Sequence, residues 1–197
     1  MDSNPFTLFG SHTPEGSYIL VINLSAPAKL AFGRFMKGKL LALPEGDYLY
    51  IGSALGGRGR RNPLASRLIR HASRSGEKKP HAIRDAVTTL FGSSACKPGN
   101  KSAVSEKKLR WHIDYLLDTP EAEISHIFII RSSMRLERTI WELLRNLEEI
   151  SIPAHRLGAQ DTLDSTHLIR LSHREIVLGI LRDRIPAMLA EECPKEL

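Results

Sequence analysis

The chain has 197 residues, with 28 Lys and Arg against 22 Asp and Glu, a formal charge of +6. Length and composition predict one domain with a sizeable core rather than a disordered tail. Two cysteines, Cys96 and Cys193, exclude a disulfide scaffold or cysteine-rich zinc module and fit a reducing compartment. The apolar runs are strand-sized, far short of the roughly 20 residues that span a bilayer. The polar opening stretch has no secretory h-region. The expectation is an intracellular, cytoplasmic protein with no membrane partner, and its basic balance points to a polyanionic partner.

Residues 1–14 read as a flexible lead ending at Thr13-Pro14. Residues 16–23 read as a largely buried strand. Short strands or a hairpin are expected over 29–43, punctuated by Gly33 and Gly38, before the turn signal Pro44-Glu45-Gly46-Asp47. A second strand follows at 48–52, with Tyr48 and Tyr50 alternating onto one face. The glycine-rich basic loop 53–61 leads into Asn62-Pro63, a good N-cap and first helical residue. The helix runs to about Arg74. Leu64, Ala65, Leu68, Ile69 and Ala72 share one side, and Arg67, Arg70, His71 and Arg74 form a basic blade on the other.

Residues 75–107 are rich in Ser, Lys and Gly and read as an insertion or mobile flap, with a short helix around 82–90. Leu109, Ile113, Leu116 and Leu117 have helical spacing, and 126–130 is a third strand. Ser132 and Ser133 offer N-caps for a helix over 134–149, with Leu136, Ile140, Leu143, Leu144 and Leu147 buried and Glu137 at the stripe's edge. After a loop, a short strand is expected at 167–171. A final helix from about Ser172 is expected to kink or restart near Pro186. The domain is thus drawn as 15–173, with 174–197 a helical extension.

Four features carry chemistry. Tyr18 and Tyr50 each lie on a strand near a glycine (Gly16, Gly52), although strand tyrosines commonly just pack. Arg67 and His71, one helical turn apart, can reach one phosphate: the arginine fork matches its oxygens and the imidazole can move a proton near neutral pH. Glu137 is a lone carboxylate of the kind that, with waters and a substrate phosphate, holds Mg²⁺. It also suits a helix's first turn through the dipole alone. The loop Gly56-Gly57-Arg58-Gly59 lacks the Gly-Lys-Ser/Thr ending of a nucleotide P-loop. Between Arg58 and Arg84 nine cations, including Arg60, Arg61, Arg70 and Arg74, face one acid, Glu77. Such a stripe can neutralise several phosphates, or simply be a solvated surface.

In this order, Gly16-Ser17-Tyr18, Tyr50-Ile51-Gly52, Arg67-x-x-x-His71 and a helical Glu137 resemble the GIY-YIG nuclease superfamily. The strings 48–56 and Trp111-His112-Ile113-Asp114-Tyr115-Leu116-Leu117 are closer still to its Uri-type branch. The resemblance spans roughly Gly16 to Leu171. Ser17 replaces the motif's middle isoleucine, and the link before Trp111 is expanded. The string Asp161…His167-Leu168 lacks the branch's two cysteines, and Glu149 stands where other members place an Asn.

The resemblance implies an α/β (α+β) fold with a small central mixed or antiparallel sheet flanked by helices. It implies hydrolysis of a DNA phosphodiester with one divalent cation, Mg²⁺ or Mn²⁺ in its place, held by Glu137. Arg67 would neutralise charge on the phosphate and Tyr18 would act as base or orient water. His71 and Tyr50 would have supporting roles, with Gly52 and His112 further out. Arg58, Arg60, Arg61, Arg70 and Arg74 would position phosphates without reading sequence, which leaves RNA open beside DNA. A cation and Arg67 beside Tyr18 would favour phenolate, so a lowered pKa is expected. The alternative is a catalytically inactive nucleic-acid-binding module on the same scaffold, and a blander one is a structural or partner-binding domain.

Overall fold

The structure, a computed structural model, describes residues 4–56, 62–92, 107–155, 157 and 166–191. Strand β1 (Phe6–Gly10) is followed by β2 (Gly16–Leu24), β3 (Ala28–Ala31), β4 (Leu40–Leu43) and β5 (Gly46–Ala54). Then come α1 (Pro63–His71), α2 (Arg84–Phe91), α3 (His112–Leu117), β6 (Ala122–Arg131) and α4 (Glu137–Leu144). The last elements are β7 (Ile150–Ser151), β8 (Leu168–Leu171) and α5 (Arg174–Glu191). The fold is mixed α/β: a six-stranded, mainly antiparallel sheet flanked by five helices, with β3 and β4 as a separate hairpin.

The sheet order is β1-β6-β2-β5-β8-β7, and only β1 pairs in parallel, along β6. Central β2 is apolar on both faces because helices cover both. Its even positions Tyr18, Leu20, Ile22 and Leu24 meet α1, α2, α3 and the hairpin. Its odd positions Ile19 and Val21 join Leu49, Ile51, Phe128 and Ile130 under α4 and α5. The period of two thus divides one strand between two cores.

The structure departs from the local reading at identifiable points. The supposed N-terminal lead contains β1, because Phe6–Gly10 completes the open edge of β6. Helix α5 is no appendage: Val177, Leu178, Leu181, Ile185 and Met188 are buried in the second core, and the helix runs through Pro186. Helix α4 is shorter than 134–149, and Ser132 and Ser133 do not cap it. The Ser132 hydroxyl accepts instead from the Met134 amide. Residues 93–106 of the expected flap lie outside the described residues, but 75–92 is tied in. The His81 amide donates to the Ala72 carbonyl at 3.0 Å and Val87 is fully buried.

Candidate functional site

Strands β2 and β5 are antiparallel neighbours with Tyr18 opposite Gly52, so Tyr18 and Tyr50 stand on the same face. Helix α1 lies over that face. Its start is as expected: the Asn62 carboxamide oxygen accepts from the Ala65 amide at 3.0 Å, with Pro63 at the first helical position. His71, four residues after Arg67, projects down to the strands. Its Nε2 lies 2.8 Å from the Tyr18 hydroxyl, and its ring centroid is 5.5 Å from that of Tyr18 and 6.0 Å from that of Tyr50. The Tyr18 and Tyr50 centroids are 6.5 Å apart.

Gly52 makes this possible sterically rather than by backbone freedom. A Cβ there would fall 2.5 Å from the Tyr18 ring carbon and hydroxyl, so the phenol occupies the missing side chain's space.

The expected outward basic blade is not what α1 presents. His71 is fully buried, because α3 and the chain leading into it cover the helix from the far side. Asp114 of α3 accepts from Arg70 at 2.7 Å and from the amides of Arg110 and Trp111, all on Oδ2. Arg70 also donates to the Lys108 carbonyl. Arg74 donates to the carbonyls of Leu117, Lys79 and Ala122 and pairs with Glu123 at 3.1 Å. Arg70 and Arg74, expected to offer free guanidinium groups to phosphates, are spent on internal acceptors. Arg58, Arg60 and Arg61 lie outside the described residues.

Arg67 differs. Its guanidinium carbon stands 3.9 Å over the Trp111 ring, a cation–π contact. Among the described residues it makes no hydrogen bond or ion pair, so its five donors remain for an anion. Its charge is felt by Tyr18, Tyr50 and His71.

Glu137 arrives from the opposite helical layer. Ser17, the departure from the motif's isoleucine, accepts from the Leu136 amide at 3.2 Å and pins the start of α4 to β2. The Glu137 carboxylate is thereby close enough to raise the pKa of both phenols. It pairs with exposed Arg135 at 3.7 Å. Tyr18, Tyr50, Arg67, His71 and Glu137 therefore converge from β2, β5, α1 and α4. His112 does not join them directly. Its ring centroid is 5.3 Å from that of Phe35 in a tilted contact, and it lines a small apolar crevice with Tyr50, Phe32, Ile113, Leu157 and Leu168.

Burial sets the electrostatics. It pushes the Tyr18 hydroxyl well above its ordinary value, with Tyr50 adding to the effect and Arg67 opposing it only in part. Tyr50 is raised for the same reason. Arg67 by itself does not offset the desolvation of Tyr18; the expected lowering was drawn for Arg67 together with a bound cation. His71 is lowered to about 4 by burial, against the pull of Asp114, so it is neutral at physiological pH. Asp114 is held below the carboxylate range. Burial opposes its ionisation, but the hydrogen bonds converging on it prevail. In the sequence Trp111 and Asp114 stand within one string, Trp111-His112-Ile113-Asp114. Their spacing, one helical turn on a capped segment, was the signal that they act together.

A profile for a domain of unknown function, DUF123, matches residues 17–189. The chain belongs to the DUF123 family. The match takes in β2 through most of α5, and so every residue of the convergent site. No curated protein and no solved structure matches the chain.

As for a cation, no three carboxylates, imidazoles or thiols gather into a metal cage among the described residues. The donor set is the single Glu137 carboxylate facing two phenols. That fits Mg²⁺, which keeps several waters and needs only one or two protein carboxylates, better than Zn²⁺. No helix among the described residues is long and apolar enough to cross a membrane.

Proposed function

We propose that the chain is a divalent-cation-dependent endonuclease of the GIY-YIG type, which hydrolyses phosphodiester bonds of DNA. The observation that carries this reading is the meeting of Tyr18, Tyr50, Arg67, His71 and Glu137 around one point, from positions spread over 119 residues of chain (137 − 18).

Glu137 would hold the cation, which when bound supplies polarisation of the phosphoryl oxygen and stabilises charge on the leaving oxygen. Arg67, over the Trp111 ring and otherwise unpaired among the described residues, receives the non-bridging oxygens and offsets the charge that builds on them. Tyr18 is closed from bulk solvent and its phenolate is disfavoured, so it does not wait as a ready-made base. It acts as a relay. As water attacks phosphorus, the water's proton passes to the Tyr18 oxygen while the Tyr18 proton passes to His71 Nε2, 2.8 Å away. The new O–P bond forms, the P–O3′ bond breaks, and the 3′-oxygen leaves with its electron pair and takes a proton from solvent. The imidazolium then returns its proton to water. Tyr50, 6.0 Å from the His71 ring, walls the relay.

The test is cleavage of plasmid, single-strand, flapped and RNA substrates with Mg²⁺ or Mn²⁺, with EDTA and Glu137→Ala as controls. Cleavage that stops with EDTA and falls on the order of a thousandfold in Glu137→Ala supports the reading. Cleavage indifferent to Glu137 overturns the role of that carboxylate. Salt-sensitive binding without turnover under any cation would make the chain a binding module. Substantial activity in Tyr18→Phe would overturn the relay through Tyr18 and leave His71 to take the water's proton without it.

A further inference from the structure

His71 Nδ1 and Asp114 Oδ1 are both fully buried, both without a hydrogen-bond partner among the described residues, and lie 3.7 Å apart. Two orphaned atoms of complementary type facing each other across less than an ångström beyond hydrogen-bond range call for an explanation. The rest of Asp114 is fixed: Oδ2 takes the amides of Arg110 and Trp111 and the Arg70 guanidinium, so Oδ1 can point only where it does. Lys107, its ammonium 2.6 Å from the Ser73 carbonyl, stands 3.9 Å from Oδ1 and favours the carboxylate form. The other charged or titratable groups facing the imidazole are Arg67 on its own helix and Tyr18 and Tyr50 on the strands.

We propose that Asp114 is a positioning residue, which holds the proton of His71 on Nδ1 so that Nε2 stands as acceptor for the Tyr18 hydroxyl. An ionised carboxylate can only accept, so Nδ1 must carry the hydrogen that faces it. A neutral imidazole has one hydrogen, so Nε2 is left with its lone pair. The 2.8 Å contact then has one sense: Tyr18 donates, His71 accepts. The relay is aimed before substrate arrives, and the carboxylate stabilises the imidazolium that forms during the step, as in an Asp–His–nucleophile arrangement. The consequence for catalysis rests on the endonuclease reading; the tautomer does not.

Asp114→Asn tests this. Its carboxamide oxygen replaces Oδ2 and keeps the three donors, while its NH₂ replaces Oδ1 and donates to Nδ1. Nδ1 must then accept, and the hydrogen moves to Nε2. Nitrogen NMR of the isotope-labelled full chain reads which ring nitrogen is protonated. His81 serves as internal reference. Its Nε2 faces the Leu117 carbonyl at 2.9 Å and its Nδ1 takes the Ile124 amide at 3.3 Å, so it must be the Nε2–H form.

The expected result is Nδ1–H for His71 in the wild type and in Tyr18→Phe, Nε2–H in Asp114→Asn, and a cleavage rate about a hundredfold lower in Asp114→Asn. Nε2–H in the wild type overturns the proposal. So does a hydrogen that moves in Tyr18→Phe, since Tyr18 would then be setting the tautomer. Full cleavage by an Asp114→Asn protein whose tautomer has reversed removes the positioning role. Should Asp114→Asn not fold, the wild-type and Tyr18→Phe spectra still decide. Absence of cleavage on every substrate would sink the nuclease reading while leaving the tautomer result intact.

Discussion

Two buried networks flank α1, each built from an arginine, a histidine and an acid, and they are finished differently. Around Arg74 and His81 the described donors and acceptors are matched. The guanidinium meets three carbonyls and Glu123, both nitrogens of His81 meet backbone groups, and Asp118 takes Ser75 and Lys78. Around Arg67 and His71 the accounts are left open. Among the described residues the guanidinium has an aromatic face and no acceptor, and Nδ1 of His71 and Oδ1 of Asp114 stand unpaired. A buried polar network is stable when complete and costly when not. The incomplete one is where a phosphate and a moving proton would fit, and the complete one holds 75–92 onto the domain.

The sharpest way to break the comparison is to truncate each arginine. Arg67→Ala should lower cleavage on the order of a hundredfold to a thousandfold with the melting temperature nearly unchanged. Arg67→Lys should recover little, because a point charge neither stacks on Trp111 nor forks. Arg74→Ala should do the reverse. It strands buried carbonyls and Glu123, costing about 3 kcal/mol or more in denaturant unfolding while each folded molecule cleaves normally. Equal effects on the two readouts would erase the distinction.

Acid should strike both networks alike. His71 and His81 each sit at about 4, below the ordinary 6.5, so between those values the unfolded chain binds more protons than the native one. Stability is intact above pH 6.5 and drains by a few kcal/mol as pH falls towards 4. The lowered Asp114 continues the loss below the carboxylate range. A melting series stepped down through this window checks it, and a flat profile would mean that the imidazoles are reachable by water. The smallest expected effect is that of Gly52→Ala. The new methyl must push the Tyr18 phenol off His71, and cleavage should drop about tenfold, the scale set by a small misplacement of a reacting group. An unchanged rate would separate the phenol from the reaction.

Much of this was legible along the chain. Strands β2, β5 and β6 announce themselves by apolar runs, and α1 by Asn62-Pro63. The site residues stand in motifs whose spacing is local, such as Arg67 and His71 one turn apart. The edge strand β1 was not legible, because Phe6–Gly10 is a strand only by virtue of β6 beside it. The inward turn of His71 and Arg74 was not either. Helical periodicity says which residues share a face, and α1 proved to have two covered faces, the second roofed by residues around Asp114 and Glu123 some forty positions away.

Sequence alone determined the alphabet of the site: two strand tyrosines, an arginine and histidine on one turn, and an acid opening a later helix. Those follow from short-range rules of period and capping. Tertiary structure decided which of the described cations are free and which are consumed, that both phenols are buried, and that Asp114 faces His71. Burial and long-range partners set each of these, and no local pattern encodes them.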